Sequence, residues 1–290
     1  IIAWHQFDGA DYQIFMSEYR MSKWKHPKGL SDNISVDGTN AQLAHVAMDD
    51  DNNAMIVWEQ SDGARYQIYK SEYRNNAWTH PVRLSDNISP NGQDAHNVQL
   101  RMDNNGNAII VWDQSDGSVK KIFKSEYRGG DWTHPSSLAD AIVSNAFDPQ
   151  VAMDDNGNAL IAWIQNDGVN DQVFLSEYRS GVWKYPDFLF ENISPDGSNT
   201  MYSKAAMDDH GNAIVVWAQD EGSTLQIFKS EYRGGVWYHP ANLMDNISPV
   251  GPDTMYPQIA MSKNGNAMIV WHQKYSAINR IYISEYCWGF

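Results

Sequence analysis

Six copies of Trp-x-Gln, at Trp4, Trp58, Trp112, Trp163, Trp217 and Trp271, divide the chain into a tandem array with spacings of 54, 54, 51, 54 and 54 residues. Such a period restricts the fold to stacked, near-identical units, because a single unit of this size cannot bury its apolar face alone. Each copy goes on to a Ser-Glu-Tyr triplet, ending at Tyr19, Tyr73, Tyr127, Tyr178, Tyr232 and Tyr286. Five copies add a second tryptophan (Trp24, Trp78, Trp132, Trp183 or Trp237) followed by His or Tyr and then Pro. The repeats run approximately 1–43, 44–97, 98–148, 149–202, 203–256 and 257–290, within a single domain.

Inside a period the signals are those of short strands. Val151 to Met153 meets the Asp-Asp-Asn-Gly-Asn turn that ends at Asn158, a hairpin signal. Ala159 to Trp163 is apolar and ends on an aromatic, as a buried strand does, and Gln172 to Arg179 reads as a third strand. A turn at Ser180-Gly181 leads to a fourth strand around Trp183, and a long Asp-Asn-Ile-Ser-Pro-Asp-Gly connection closes the unit. No sustained 3.6-residue period is present, so no helix is expected.

Four antiparallel strands, A to D, repeated six times define an all-β, six-bladed β-propeller with the first and last blades incomplete. The segment Val-Ala-Met-Asp-Asp-Asn-Gly-Asn with the following Trp-x-Gln-x-Asp-Gly resembles tandem repeats of bacterial proteins related to sialidase-like and NHL-like propellers, over nearly the whole chain. The chain opens inside a B strand without an initiating Met and stops just after a C strand. One more period would place the next tryptophan at 325, about 31 residues short of a full ring, so a processed form or fragment is expected.

Antiparallel order puts the A–B and C–D turns on one face and the B–C and D–A connections on the other. The second face carries the longer loops and is where function is expected. It presents Trp4, Gln6 and Asp8; Trp58, Gln60 and Asp62; Trp112, Gln114 and Asp116; Trp163, Gln165 and Asp167; Trp217, Gln219 and Glu221; and Trp271 with Gln273, where Tyr275 replaces the acid. Two readings stand. In one, these residues form a ring of equivalent sugar pockets, with an indole for stacking and an amide and carboxylate for hydroxyls. In the other, Gln and Asp cap loop backbone and the tryptophans pack between blades.

The remaining columns read as architecture. Met48, Met102, Met153, Met207 and Met261 are expected in the core. The strand C pairs Glu18/Arg20, Glu72/Arg74, Glu126/Arg128, Glu177/Arg179 and Glu231/Arg233 read as ion pairs or bonds to the next blade. His26, His80, His134 and His239 lie on different blades and cannot share a metal, and the Asp-rich turns lack an EF-hand ligand spacing. Asn33, Asn87, Asn192 and Asn246 open Asn-Ile-Ser tripeptides, either glycosylation acceptors or loop-closing turns. Cys287 reads as part of a divergent terminus rather than a nucleophile.

Thirty-six acidic against 21 basic residues, a net charge of −15, oppose a nucleic-acid partner. One cysteine excludes a disulfide framework, no apolar run is long enough to span a bilayer, and no cofactor or metal is implied. Five of the nine arginines fill the repeated strand C position; among the other four only Arg101 stands near an inner strand, which leaves no three-arginine clamp of the sialidase kind. The expected function is therefore a non-catalytic, multivalent binder of carbohydrate or a cell-surface ligand, secreted or on the cell surface. The alternatives are a protein-interaction scaffold and, less favoured, a glycan-active hydrolase. Phe147, Tyr202 and Tyr256, assigned to the D–A loops, are the test of a stacking platform.

Overall fold

The computed structural model describes residues 1–222, 224–275 and 278–287; Trp288 and the side chain of Tyr275 lie outside the described residues. Two compact units divide the chain, Ile1–Ser144 and Asn145–Phe290. In the first unit, one sheet holds β1 (Ile2–Phe7), β2 (Tyr12–Arg20) and β3 (Lys23–Lys25), and the next holds β4 (Ala41–Met48), β5 (Ala54–Ser61), β6 (Tyr66–Arg74) and β7 (Ala77–Thr79). Its third sheet holds β8 (Ala95–Met102), β9 (Ala108–Ser115), β10 (Lys120–Arg128) and β11 (Asp131–Thr133), with the two-residue β12 (Val143–Ser144) added against β10.

The second unit repeats the pattern. Its sheets are β13 (Ala146–Met153), β14 (Ala159–Asn166), β15 (Asp171–Arg179) and β16 (Val182–Lys184); β17 (Thr200–Met207), β18 (Ala213–Asp220), β19 (Leu225–Arg233) and β20 (Val236–Tyr238); and β21 (Thr254–Met261), β22 (Ala267–Tyr275) and β23 (Ile278–Tyr286). Every pairing is antiparallel between chain neighbours, apart from β12 on β10. The fold is the six-bladed β-propeller, with three strands described in the first and last blades. Among the described residues the only helical turns are two 3-10 segments, Leu30–Asp32 and Leu84–Asp86.

Alternation sorts each B strand into two faces. In β5, Ile56 and Trp58 pack with Ile14 and Ile34 of the preceding blade, whereas Met55 and Val57 pack with Leu100, Ile110 and Trp112 of the following one. The inner strands are thus buried on both sides, which explains their continuous apolar runs. The methionine column is less interior than its chemistry suggests: Met102 and Met207 pack half-buried against the cores, and Met48 is exposed. These residues end strand A at the A–B turn, where the core has thinned.

Strand C ties blades together. Glu72 accepts from Lys70 Nζ (2.8 Å), Arg74 and, in the next blade, Trp132 Nε1 (3.1 Å). Arg74 donates to Gly106 O at 2.7 Å and lies 3.8 Å from the Tyr127 ring centroid. Arg179 repeats this on Gly211 O and Tyr232. The histidine column packs on the outer tryptophans, His80 on Trp78 and His134 on Trp132, with each Nδ1 against a strand C serine. Burial lowers His80 and His239, and pulls His134 down to about 4. In the Asp-rich turns, Asp103 and Asp154 carboxylates accept from backbone N–H groups and an Asn amide four residues on, a side-chain-capped turn.

Candidate functional site at the B–C and D–A face

In blades 2 to 5 the repeated tryptophan and glutamine of this face satisfy one another, whereas Trp271 Nε1 and Gln273 Oε1 of blade 6 are buried without a partner. Trp58, Trp112, Trp163 and Trp217 are fully buried, and each indole Nε1 donates to the Gln two residues on, at 3.0, 3.2, 3.0 and 3.0 Å. The amide nitrogen then reaches the preceding D–A connection: Gln60 to Thr39 Oγ1, Gln114 to Pro90 O and Gln93 O, Gln219 to Pro195 O, Gln273 to Pro249 O. The pair is a pin that holds a long loop against the sheet. Trp271 is likewise buried; Trp4, in the three-stranded first blade, is half-buried and bonded to an exposed Gln6 at 3.2 Å.

The acids close turns. Asp8, Asp62, Asp116 and Asp167 each accept from backbone N–H groups two and three residues on, and Glu221 accepts from Thr224 Oγ1. The backbone bonds hold the Asp8 carboxyl below its ordinary range, and at Asp116 the Lys121 ammonium, with backbone bonds beside it, does the same. Buried, bonded indoles offer a ligand no face to stack on, so the open chemistry of this end lies elsewhere. The Asn-Ile-Ser tripeptides also turn inward. Asn33 Nδ2 donates to Ser35 O and Asp37, while Ser35 Oγ accepts from Ile14 N and donates to Gln13, and the pattern recurs at Asn87 and Asn192.

Two positions vary from blade to blade. One is a bulge in every A strand, centred on Leu43, Asn97, Asp148, Tyr202 and Tyr256, all at φ between 53° and 59°. A bulge frees backbone polar groups and re-aims side chains, and a left-handed φ on bulky Leu or Tyr is strained by about 1–3 kcal/mol. The other is the middle residue of Trp-x-Gln: His5, Glu59, Asp113, Ile164, Ala218 and His272. It alternates with the buried Trp and so faces the following blade.

In the first unit these positions build a charged cluster. Glu59, 1% exposed, accepts from the bulge N–H of Asn97 at 2.7 Å and holds His96 Nδ1 at 2.8 Å. Asn97 Nδ2 donates to Asp113 Oδ2 at 2.6 Å, and Lys120 Nζ to Asp113 Oδ1 at 3.0 Å. The bond to Glu59 raises the His96 pKa against an opposing burial effect, with Asp113 and Asp94 adding to the rise. The carboxylate fixes the proton on Nδ1, which leaves Nε2 for other partners. The Tyr66 ring lies 5.5 Å from this imidazole, whose side chain is 37% exposed. Beside the first blade's B–C turn, exposed Phe7, Tyr12 and His5 form a small aromatic group.

In the second unit the middle positions, Ile164 and Ala218, are buried and apolar. The bulges carry a tyrosine pair, with Tyr202 and Tyr256 ring centroids 4.5 Å apart at 49°, and His272 5.5 Å from Tyr256. A hydrogen bond to Tyr256 pushes the Tyr202 phenol up. Lys204, two residues beyond Tyr202, is lowered by burial and donates to Ser203 O. The tyrosines and Phe147 therefore belong to strand A, not to the D–A loops, because the strand begins earlier than its polar composition implies. Phe147 and Tyr202 are half-buried and Tyr256 is 53% exposed. Glu59, His96 and Asp113 went unmarked by the repeat pattern; their departure from it was the available signal.

No family model matches the sequence, and no curated protein does. Among solved structures, an ulvan lyase from a new family of polysaccharide lyase is similar (TM-score 0.56, 10% identity, 94% of this chain and 75% of that one). So are a protein of unknown function from Dyadobacter fermentans (0.54, 10%, 84% and 79%) and a Hadza microbial sialidase (0.52, 11%, 91% and 58%). At these identities the likeness is one of fold, and it agrees with the resemblance of the repeats to sialidase-like propellers.

Proposed function

We propose that the chain is a carbohydrate-binding propeller whose ligand docks on the B–C and D–A face, at the blade-specific bulge layer. The Tyr202–Tyr256 pair carries this reading: two aromatic rings sit side by side on left-handed backbone where Asn or Gly would be unstrained. Strain kept at neighbouring blades marks a contact surface, and an exposed ring face beside a phenol and an imidazole suits a sugar ring. Similar folds in a sialidase and a polysaccharide lyase support a glycan as the ligand class. A secreted or cell-surface setting goes with it. A glycan array probed with the intact chain and with Tyr256→Asn tests the reading: the variant is expected to lose at least tenfold in binding. Silence of the intact chain across the array would overturn it in favour of a protein-interaction scaffold.

A second reading, action on a glycan, is favoured by one observation. Glu59 orients His96 with Nε2 free, the arrangement of a general base or acid. Release of reducing ends from a polysaccharide panel, abolished by His96→Gln, would favour it over binding alone.

A further inference from the structure

Two grooves at the blade junctions, apart from the bulge layer and lined by strands C and D and the start of the D–A connection, open at the same register. One, of about 420 Å³, lies between blades 1 and 2; the other, of about 180 Å³, lies between blades 4 and 5. What opens them is legible in strand C. Its fifth residue is lysine in blades 2, 3 and 5 (Lys70, Lys124, Lys229) but Met16 in blade 1 and Leu175 in blade 4.

Lys70 shows what the lysine does. Its ammonium pairs with Glu72 at 2.8 Å and sits 4.6 Å from the ring centroid of Trp132 in the next blade, so that it occupies the space over the indole. Lys124 and Lys229 pair with Glu126 and Glu231 in the same way. Met16 and Leu175 cannot form that pair. They line the grooves together with Trp78 and Trp237, and with Glu18 and Glu177.

The polar atoms left behind point to a ligand. At the first junction Trp78 Nε1 donates to Glu18 Oε2 at 3.1 Å. At the second, Trp237 Nε1 is buried and has no hydrogen-bond partner, an arrangement that is unfavourable unless something accepts from it. Both grooves thus offer an indole, an aliphatic wall and a carboxylate, with Lys184 at the side of one and Lys25, 3.6 Å from Glu18, at the side of the other.

We propose that these two grooves are equivalent binding sites for a neutral monosaccharide unit. Its C–H face would lie on Met16 or Leu175 and the tryptophan, and its vicinal hydroxyls would donate to Glu18 or Glu177. A hydroxyl oxygen would accept from Trp237 Nε1. An anionic sugar is disfavoured by the buried carboxylate, which in Glu18 stays ionised because Trp78 and Arg20 hold its charged form against burial. The site is independent of the bulge layer. Two such sites on one chain would convert weak contacts into avidity for a branched or repeating glycan.

The test uses the full chain and a panel of methyl glycosides of glucose, galactose, mannose, fucose and N-acetylglucosamine, with binding read by saturation-transfer NMR and stoichiometry by calorimetry. Met16→Lys and Leu175→Lys install the residue that three other blades already carry, so the fold is expected to persist, as urea midpoints would verify. The parent should bind two more equivalents of a glycoside than the double variant does, and each single variant should bind one more than the double variant. Undiminished binding by the double variant would overturn the groove proposal and leave the bulge layer as the binding surface; no binding of any glycoside by the parent would overturn the grooves and count against the bulge layer as well.

Discussion

The same bulge is settled in two different ways at Asn97 in the first unit and at Tyr202 and Tyr256 in the second. At Asn97 the freed N–H meets a buried carboxylate, Glu59, which also holds His96, and the local backbone suits an Asn residue. At Tyr202 and Tyr256 the neighbouring middle positions Ile164 and Ala218 offer no acceptor, and the left-handed conformation is imposed on bulky rings. The first arrangement stabilises the fold through hydrogen bonds. The second retains strain and displays aromatic surface. One structural position thus serves stability at Asn97 and is available for recognition at Tyr202 and Tyr256.

The sharpest way to break this contrast is at Glu59. Glu59→Ala would leave the Asn97 N–H and the His96 imidazole without their acceptor in a buried setting, and a loss of about 3 kcal/mol is expected in urea unfolding. Glu59→Gln keeps a neutral acceptor, so its loss should be nearer 1 kcal/mol. If Ala and Gln cost the same small amount, the carboxylate is not what holds the bulge, and the two units do not differ as described.

Tyr256→Asn probes the other side. Removing the ring forfeits a tyrosine–tyrosine contact of about 1 kcal/mol, while Asn relieves a left-handed strain of about the same size. The expected change in stability is close to zero, within about 0.5 kcal/mol, against a tenfold or larger loss of glycan binding. A drop in stability of about 2 kcal/mol with binding intact would make Tyr256 a packing residue and remove the contrast.

These two sites also show where sequence reading reached and where it stopped. The tryptophans, the Asp-rich turns and the strand C Glu–Arg pairs recur in nearly every blade because every blade needs them, and their periodicity alone made the propeller and its interblade bonds legible. The same recurrence drew attention to Trp-x-Gln as a set of ligand pockets, whereas Gln60 and Gln114 spend their amides on the preceding loop. The bulges left no mark, because Leu43, Asn97, Asp148, Tyr202 and Tyr256 share no residue type and contain no glycine. What did vary visibly was the residue between Trp and Gln, and at Met16 and Leu175 the strand C residue that is elsewhere lysine. In a repeat protein the invariant columns build the unit, and chemistry is carried where one unit departs from the next.

The smallest expected effect is also the one that isolates the charged cluster. The His96 pKa is raised in the fold, chiefly by its bond to Glu59, above the ordinary value near 6.5. Folding therefore favours the imidazolium: the contribution is complete below about pH 6.5, and it is lost as pH rises through the folded value. Buried His80, His134 and His239 are shifted the opposite way, so they weaken the fold as pH falls below about 6.5 and mask the trend in the parent alone. The difference in urea midpoint between the parent and His96→Gln removes their contribution. That difference should favour the parent at pH 6 and shrink towards pH 9, and Glu59→Gln should flatten it. The second unit's pair contributes nothing over this range, since the Tyr202 phenol is raised from an ordinary value of about 10. A difference that grows with pH would reverse the sign of the Glu59–His96 interaction and undo the assignment of the proton to Nδ1.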